Sequence, residues 1–418
     1  MDQFDLTIVM VPLAAVVAPL LAALVRRALL VPLVVFEIGL GMLIGPAGLG
    51  LVADDRMLQM LSQLGLAMLF FMAGMEIDPR SMSGRSGKRA LTAWGASAVI
   101  AIGAGLLIGE SWGAVAIIAI ALTGTALGTI TPILRDAGLA RGPLGRTLSA
   151  AGAVGEFGPL IAISLFLSGH EPLAGTLTLL LFTALAAFAF WAASRGKNRW
   201  LHRMVAATLH TSGQFAIRFM ILLLAVLVTL AMVLGVDFLL GAFTAGLLCR
   251  VALRDGAPAE MRVVEAKLES VAFGFFVPIF FVTTGVTFPL ATLFGDPHAL
   301  TLVPVFLLAM FVARGLPGFF SPERGTSFSD RRTVALFTAT TLPLVIAVTQ
   351  IGVEKQLLDE STAAALVGAA MVTVLLFPLF ALVRRPQPET PPGSGSGSSG
   401  AGTATAHDSS RLSSDVHE

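Results

Sequence analysis

The chain of 418 residues has one cysteine, no tyrosine, six histidines and only 13% Asp, Glu, Lys and Arg, and each scarcity excludes something. Cys249, alone and set in an apolar run, leaves no intrachain disulfide and no cysteine metal cluster to expect. The histidines (His170, His202, His210, His298, His407 and His417) fall in expected loops, helix ends or the C-terminal tail, so no histidine metal site or intramembrane proton relay is expected. A net charge of +1 offers no basic footprint for nucleic acid. No GxGxxG follows a strand pattern, and no nucleotide-sensing module is expected within the chain. The sequence calls for no cofactor and no metal beyond a transported ion, and nothing in it reads as an enzyme.

What is abundant is apolar. Hydrophobic residues make up 56% of the chain, mean hydropathy is +0.86, and Leu/Ala/Val-rich runs recur along nearly its whole length. A helix needs about 20 such residues to cross a bilayer. A transmembrane β-barrel would instead show segments of about ten residues with alternating polarity. The predicted fold class is an all-α polytopic membrane protein with 13 spans, beginning near Leu6, Ala28, Met57, Ala90, Gly113, Thr147, Leu173, Ile217, Val236, Glu269, Leu300, Thr333 and Ser361. The first is expected to stay in place, because its leading residues MDQFD are acidic and its basic pair, Arg26 and Arg27, follows it.

Lys and Arg concentrate on the connections after odd-numbered spans, from Arg26/Arg27 to Arg384/Arg385, while the connections after even spans hold only Arg56 and Lys355. By the positive-inside rule this sets the N-terminus outside and the C-terminus in the cytoplasm. Residues 1–385 read as one transmembrane domain. The Pro/Gly/Ser-rich residues 386–418 have little to bury and read as a disordered cytoplasmic tail.

Charge inside the spans is confined to Glu37, Glu76, Glu156, Asp237 and Arg314. Glu76 and Asp237 lie near span ends and read as structural; Glu37 precedes the Gly-rich IGLGMLIGPAGLG and reads as a packing or supporting residue. Glu156 sits deep in TLSAAGAVGEFGPLIAISLFLS, where a carboxylate costs about 2.5 to 3.5 kcal/mol unless it meets a partner or water. Helix rise puts Glu156 roughly 13 Å and Arg314 roughly 10 Å from the inner ends of their spans, so the two are expected to meet as a salt bridge. A fixed structural pair is the plainer alternative.

Two spans read as interrupted helices. Pro132 cannot donate to the Gly128 carbonyl, and Thr123, Gly124, Thr125, Gly128, Thr129 and Thr131 surround that defect; Pro343 likewise frees the Ala339 carbonyl beside Thr338, Thr340 and Thr341. Irregular backbone at such depth is tolerated only when buried in protein or lining a wet cavity. The breaks sit in the middle members of two three-span groups, about 90–168 and 300–383, which begin on opposite sides of the membrane. That is the pattern of an inverted repeat with two crossed discontinuous helices and a binding site near the midplane.

The passages FEIGLGMLIGPAGLGL, LGLAMLFFMAGMEID, VDFLLGAFTAGLL, VPIFFVTTGVTF and LPLVIAVTQIG resemble segments of the monovalent cation:proton antiporter-2 family, bacterial membrane proteins of the sodium/hydrogen-exchanger type, over roughly residues 6 to 383. The resemblance implies an antiporter fold, a homodimer in the bacterial plasma membrane, and alternating access by a mobile core domain. It places Glu156 where the family has an essential aspartate, and Arg314 where it has a basic residue. Many electrogenic members carry two adjacent carboxylates, whereas Gly155 precedes Glu156 here. The expected activity is exchange of Na⁺ or K⁺ for H⁺ at a single carboxylate, one for one and electroneutral. Two alternatives stand beside it: a sodium-coupled symporter for an organic anion, and a transport-silent membrane sensor.

Overall fold

Backbone N–H and C=O groups surrounded by hydrocarbon have no water to bond, so each apolar run must satisfy them internally as a helix. A computed structural model describes residues 3–25, 31–53, 55–77, 84–139, 142–167, 172–195, 214–253 and 258–382. The expected tail from 386 onward and the basic loop residues Arg26, Arg27, Arg80, Arg141, Lys197, Arg199, Arg203 and Arg254 lie outside them. Among the described residues there is no strand. Ten helices among the described residues are long and apolar enough to cross a membrane, and the shorter apolar helices Leu33–Ile44, Gly175–Trp191 and Phe238–Ala252 fill the remaining three positions of the expected set.

In chain order the helices are α1 (Gln3–Val25), α2 (Leu33–Ile44), α3 (Arg56–Glu76), α4 (Arg85–Ile108), α5 (Trp112–Leu122), α6 (Leu127–Asp136), α7 (Gly142–Phe166), α8 (Pro172–Arg195), α9 (Phe215–Val233) and α10 (Phe238–Ala252). They continue with α11 (Pro258–Val271), α12 (Val277–Val286), α13 (Leu290–Gly295), α14 (Pro297–Met310), α15 (Leu316–Phe320), α16 (Phe328–Thr338), α17 (Pro343–Glu354) and α18 (Glu360–Leu382). Short polar side chains start several of them by accepting an otherwise orphaned amide. Asp55 accepts from Leu58 N–H (2.7 Å), Ser111 from Ala114 N–H (3.1 Å), Asp237 from Leu239 N–H (2.9 Å) and Ser327 from Asp330 N–H (3.1 Å).

Hydrophobicity cannot sort helices from lipid, so close packing through small residues must hold them together. Gly41 of α2 and Gly285 of α12 face each other so closely that a Cβ on either would lie within 3 Å of the other's Cα. Gly74 of α3 and Gly246 of α10 play the same part, each set against the backbone of the other helix.

Two helices widen into single π turns, Ala272–Phe276 between α11 and α12 and Phe311–Gly315 between α14 and α15. Both are followed by a proline in the first two positions of the next helix, Pro278 and Pro317. A proline cannot donate to the carbonyl four residues back, and a widened turn accommodates the orphaned group. The second π turn carries Arg314.

The two predicted interruptions are present, with one shifted. Between α5 and α6 the helix unwinds at residues 123–126, upstream of Pro132, and α6 runs on through that proline. Tertiary bonds set this break: Thr125 N–H donates to the Gly155 carbonyl (3.1 Å) and Ala126 N–H to the Thr340 carbonyl (2.9 Å) instead of to their own helix. Gly124 leaves room for the Leu344 and Thr341 side chains, which a Cβ there would approach to 2.7 and 2.9 Å. The second break, at 339–342, ends where predicted, with Pro343 opening α17. The Ala126–Thr340 bond joins the two unwound segments directly.

Candidate functional site

Glu156 lies in the middle of α7 and is 6% exposed. Its Oε1 accepts from the Leu127 N–H at 2.7 Å and from the Gly128 N–H at 3.4 Å. These are the first amides of α6, left free by the break before them, and a helix N-terminus carries about half a positive charge. The charge partner of Glu156 is therefore a half-helix end. Its other oxygen, Oε2, has no hydrogen-bond partner. Glu156 lines a cavity of about 10 Å³ with Thr125, Gly128, Thr129, Pro343 and Phe70, about enough for one water-sized species.

The expected Glu156–Arg314 salt bridge is not formed. Arg314, 1% exposed, donates from Nε to the Thr125 hydroxyl oxygen (2.8 Å) and from Nη2 to the Ala151 carbonyl (2.7 Å). Thr125 passes the contact on, donating its own proton to the Thr338 carbonyl at 2.6 Å. Thr338 is the last residue of α16, so the guanidinium is coupled to the negative end of the other interrupted helix. Matched depths fix a distance along the membrane normal, and they leave the rotation of each helix open; that rotation, together with the π turn, aims Arg314 at the break.

Gly155 has a steric role that its neighbours define. A Cβ there would overlap Arg314 Nη2 and lie 2.6 Å from the Thr125 hydroxyl. A second carboxylate beside Glu156 has no space in this arrangement.

The threonines separate into distinct parts. Thr123 donates to the Ile120 carbonyl (2.8 Å) and Thr340 to the Leu336 carbonyl (2.9 Å), closing the ends of half-helices. Thr341 N–H donates to the Thr373 hydroxyl (3.2 Å), while the Thr341 hydroxyl is buried without a partner. Thr129 faces the small cavity from α6, not from the break. The Thr131 hydroxyl lies within donating reach of Glu76 Oε2 (3.0 Å) and of the Leu127 carbonyl (2.9 Å). Glu76, which reads from sequence as a solvated end residue, thus touches the same half-helix that holds Glu156. Glu37 is buried on α2 and does not line the cavity. No group of three or more His, Cys, Asp or Glu side chains arranged to hold a metal occurs among the described residues.

Two interrupted helices meeting beside a buried carboxylate are the architecture of a secondary transporter. The chain belongs to the sodium/hydrogen exchanger transmembrane family, whose model matches residues 13–382. Among similar proteins, the putative Na⁺/H⁺ antiporter YjbQ of Bacillus subtilis is 29% identical over 89% of this chain; the chain spans 62% of that relative's length. The Na⁺/H⁺-K⁺ antiporter GerN of Bacillus cereus is 25% identical over 83% of this chain and 88% of its own. In fold, the sodium proton antiporter MjNhaP1 of Methanocaldococcus jannaschii superposes with a TM-score of 0.64 at 17% identity, over 91% of this chain and 96% of that one.

Proposed function

We propose that the protein is a secondary active antiporter that exchanges a monovalent cation, Na⁺ or K⁺, for H⁺ at Glu156. The observation that carries this reading is a buried carboxylate with one oxygen held by the amides of a half-helix and the other unpartnered beside a small cavity. Oε2 can take a proton or ligate a cation, and one oxygen cannot do both. The Thr129 side chain and the backbone of the break supply further oxygen ligands. Either cargo neutralises Glu156 so that the loaded site can change sides, whereas the bare carboxylate resists crossing. Arg314 keeps its charge throughout and exchanges no proton. Exchange is then one for one and electroneutral.

The relatives' names, Na⁺/H⁺ and Na⁺/H⁺-K⁺ antiporter, support the same exchange. The protein works by alternating access as a homodimer in the bacterial plasma membrane, with its N-terminus outside, its C-terminus in the cytoplasm, and the triplets 90–168 and 300–383 as its moving core. Two observations weigh against the alternatives. A symporter for an organic anion needs room at the breaks, and the cavity at Glu156 is about 10 Å³. A silent sensor held by a fixed Glu156–Arg314 pair lacks that pair.

The test is ΔpH dissipation in everted vesicles with Na⁺, K⁺ and Li⁺ compared. Wild type is expected to dissipate the gradient when a cation is added, and Glu156→Gln is expected not to. Cation-driven exchange surviving in Glu156→Gln would refute the reading. In proteoliposomes, a rate that follows membrane potential alone would refute electroneutrality.

A further inference from the structure

A second and much larger cavity, about 460 Å³, opens between α3, α12, α17 and α18. None of its lining residues belongs to the breaks, and Glu156 is not among them. On α3 its lining ends at Gln63, while the small cavity begins at Leu69; six residues of helix span roughly 9 Å. On α17 the large cavity reaches down to Ile346 and the small one includes Leu344. The two are stacked in series along the same pair of helices.

The large cavity is rich in oxygen, and Gln59, Ser62, Gln63 and Gln350 add groups that both donate and accept. Thr284 spends its hydroxyl proton on the Phe280 carbonyl (2.8 Å), Thr287 on that of Thr283 (3.0 Å) and Thr349 on that of Val345 (2.8 Å). A threonine that donates to its own helix has only lone pairs left to offer. The Thr283 hydroxyl, in a residue 4% exposed, is buried with no partner at all. Glu354 and Glu360 add carboxylates to the lining, and no Lys or Arg belongs to it, although Arg56 and Lys355 lie at the same end of the helices. Such a wall offers oxygen ligands to a cation, and its net negative charge disfavours an anion. Its volume is many times that needed by a bare alkali ion, so an ion here keeps part of its water shell.

We propose that this cavity is a second cation site, in which the Thr283 and Thr349 oxygens hold a partly hydrated monovalent cation before it reaches Glu156. The inference rests on the antiport reading for its place in transport, and on the loop charges for its side: the cavity opens at the ends of α3 and α17 assigned to the outside. Because the site lies on one side of Glu156, it sets the apparent affinity for cation arriving from that side only.

The test compares Thr283→Val and Thr349→Val, which keep shape and remove the oxygen, with Thr283→Ser, which keeps it. Cation-dependent exchange is measured in right-side-out and everted vesicles. Loss of one neutral ligand is expected to raise the outer-side KM about threefold to tenfold relative to the inner-side KM, with Thr283→Ser close to wild type. Equal shifts on both sides, or none, would overturn the proposal. A second measurement needs no transport: thallous ion soaked into full-length Glu156→Gln protein, located by anomalous scattering. Density at Thr283 that disappears in Glu156→Gln/Thr283→Val is expected, and its absence from Glu156→Gln overturns the site. If wild type showed no exchange, the antiport reading would fail while the thallium map still decided the cavity.

Discussion

Arg314 is bonded to the unwound link between α5 and α6 at Thr125, Glu156 to the first amide of α6 at Leu127, and neither to the other. Two interrupted helices supply four extra helix ends inside the bilayer, and the two charges use them in complementary ways. The carboxylate sits on the amide end of α6, and the guanidinium reaches the carbonyl end of α16 through Thr125. A direct pair would occupy the carboxylate with a fixed cation. The observed arrangement stabilises both charges and leaves Oε2 of Glu156 open to a mobile one.

A small energetic coupling between the two residues follows from this. Arg314→Met removes two charge-assisted hydrogen bonds, to the buried Ala151 carbonyl and to the Thr125 oxygen, and should lower stability by about 3 kcal/mol. Lys has one ammonium and no fork with which to span both acceptors, so Arg314→Lys should fall between wild type and Arg314→Met. Thermal unfolding of wild type, Glu156→Gln, Arg314→Met and the double variant should show near-additive losses. A coupling above about 2 kcal/mol would mean that the two side chains meet after all.

Gly155 gives the second prediction. Since a Cβ there collides with Arg314 and Thr125, Gly155→Ala should destabilise the fold by about 1 to 3 kcal/mol, and Gly155→Asp by at least as much. Gly155→Asp is therefore expected to impair exchange and not to create an electrogenic two-carboxylate site. Well-folded Gly155→Asp protein with potential-driven transport would show that Arg314 can move aside.

The spans are legible in the sequence because each must be a continuous apolar run, and even the short helices Leu33–Ile44 and Phe238–Ala252 retain that composition. Glu156 stands out by the same logic, since a lone carboxylate in such a run is costly unless something meets it. The exact place of the first break is not legible: Pro132 is conspicuous in sequence, but the unwinding at 123–126 is fixed by the Gly155 and Thr340 carbonyls, which are distant in the chain. The same holds for Arg314, whose aim depends on a π turn that only its neighbour Pro317 hints at. Glu76 reads as an end residue because position along a helix says nothing about what crosses beside it.

The glycine contact between α2 and α12 supports a packing prediction. A Cβ on Gly285 would lie 2.8 Å from both Gly41 Cα and Met42 N, and backbone cannot yield as a flexible side chain can. Gly285→Val should lower thermal stability, whereas Gly39→Val on the same α2 helix, with nothing near its Cβ position, should leave it within about 0.5 kcal/mol. Equal effects at the two sites would mean that helix propensity, not the crossing, sets the cost.

The contact of Glu76 with Thr131 yields a prediction about the transport cycle. Thr131 stands on α6, one turn beyond the amides that hold Glu156, and Glu76 reaches it from α3. If α6 moves with its cargo while α3 stays, this bond exists in the observed conformation and must break in the other. Thr131→Val removes the donor and should shift the equilibrium away from the observed conformation by a factor of about 2 to 10, the worth of one such bond. Glu76→Gln keeps an accepting oxygen and should shift it less. A cysteine placed at Glu360, on the lining of the large cavity, reports the population through its labelling by a membrane-impermeant thiol reagent, with Cys249 buried and silent. Slower labelling in Thr131→Val than in Glu76→Gln is the expected order. Identical labelling in all three proteins would mean that α3 and α6 travel together and that Glu76 is no part of the gate.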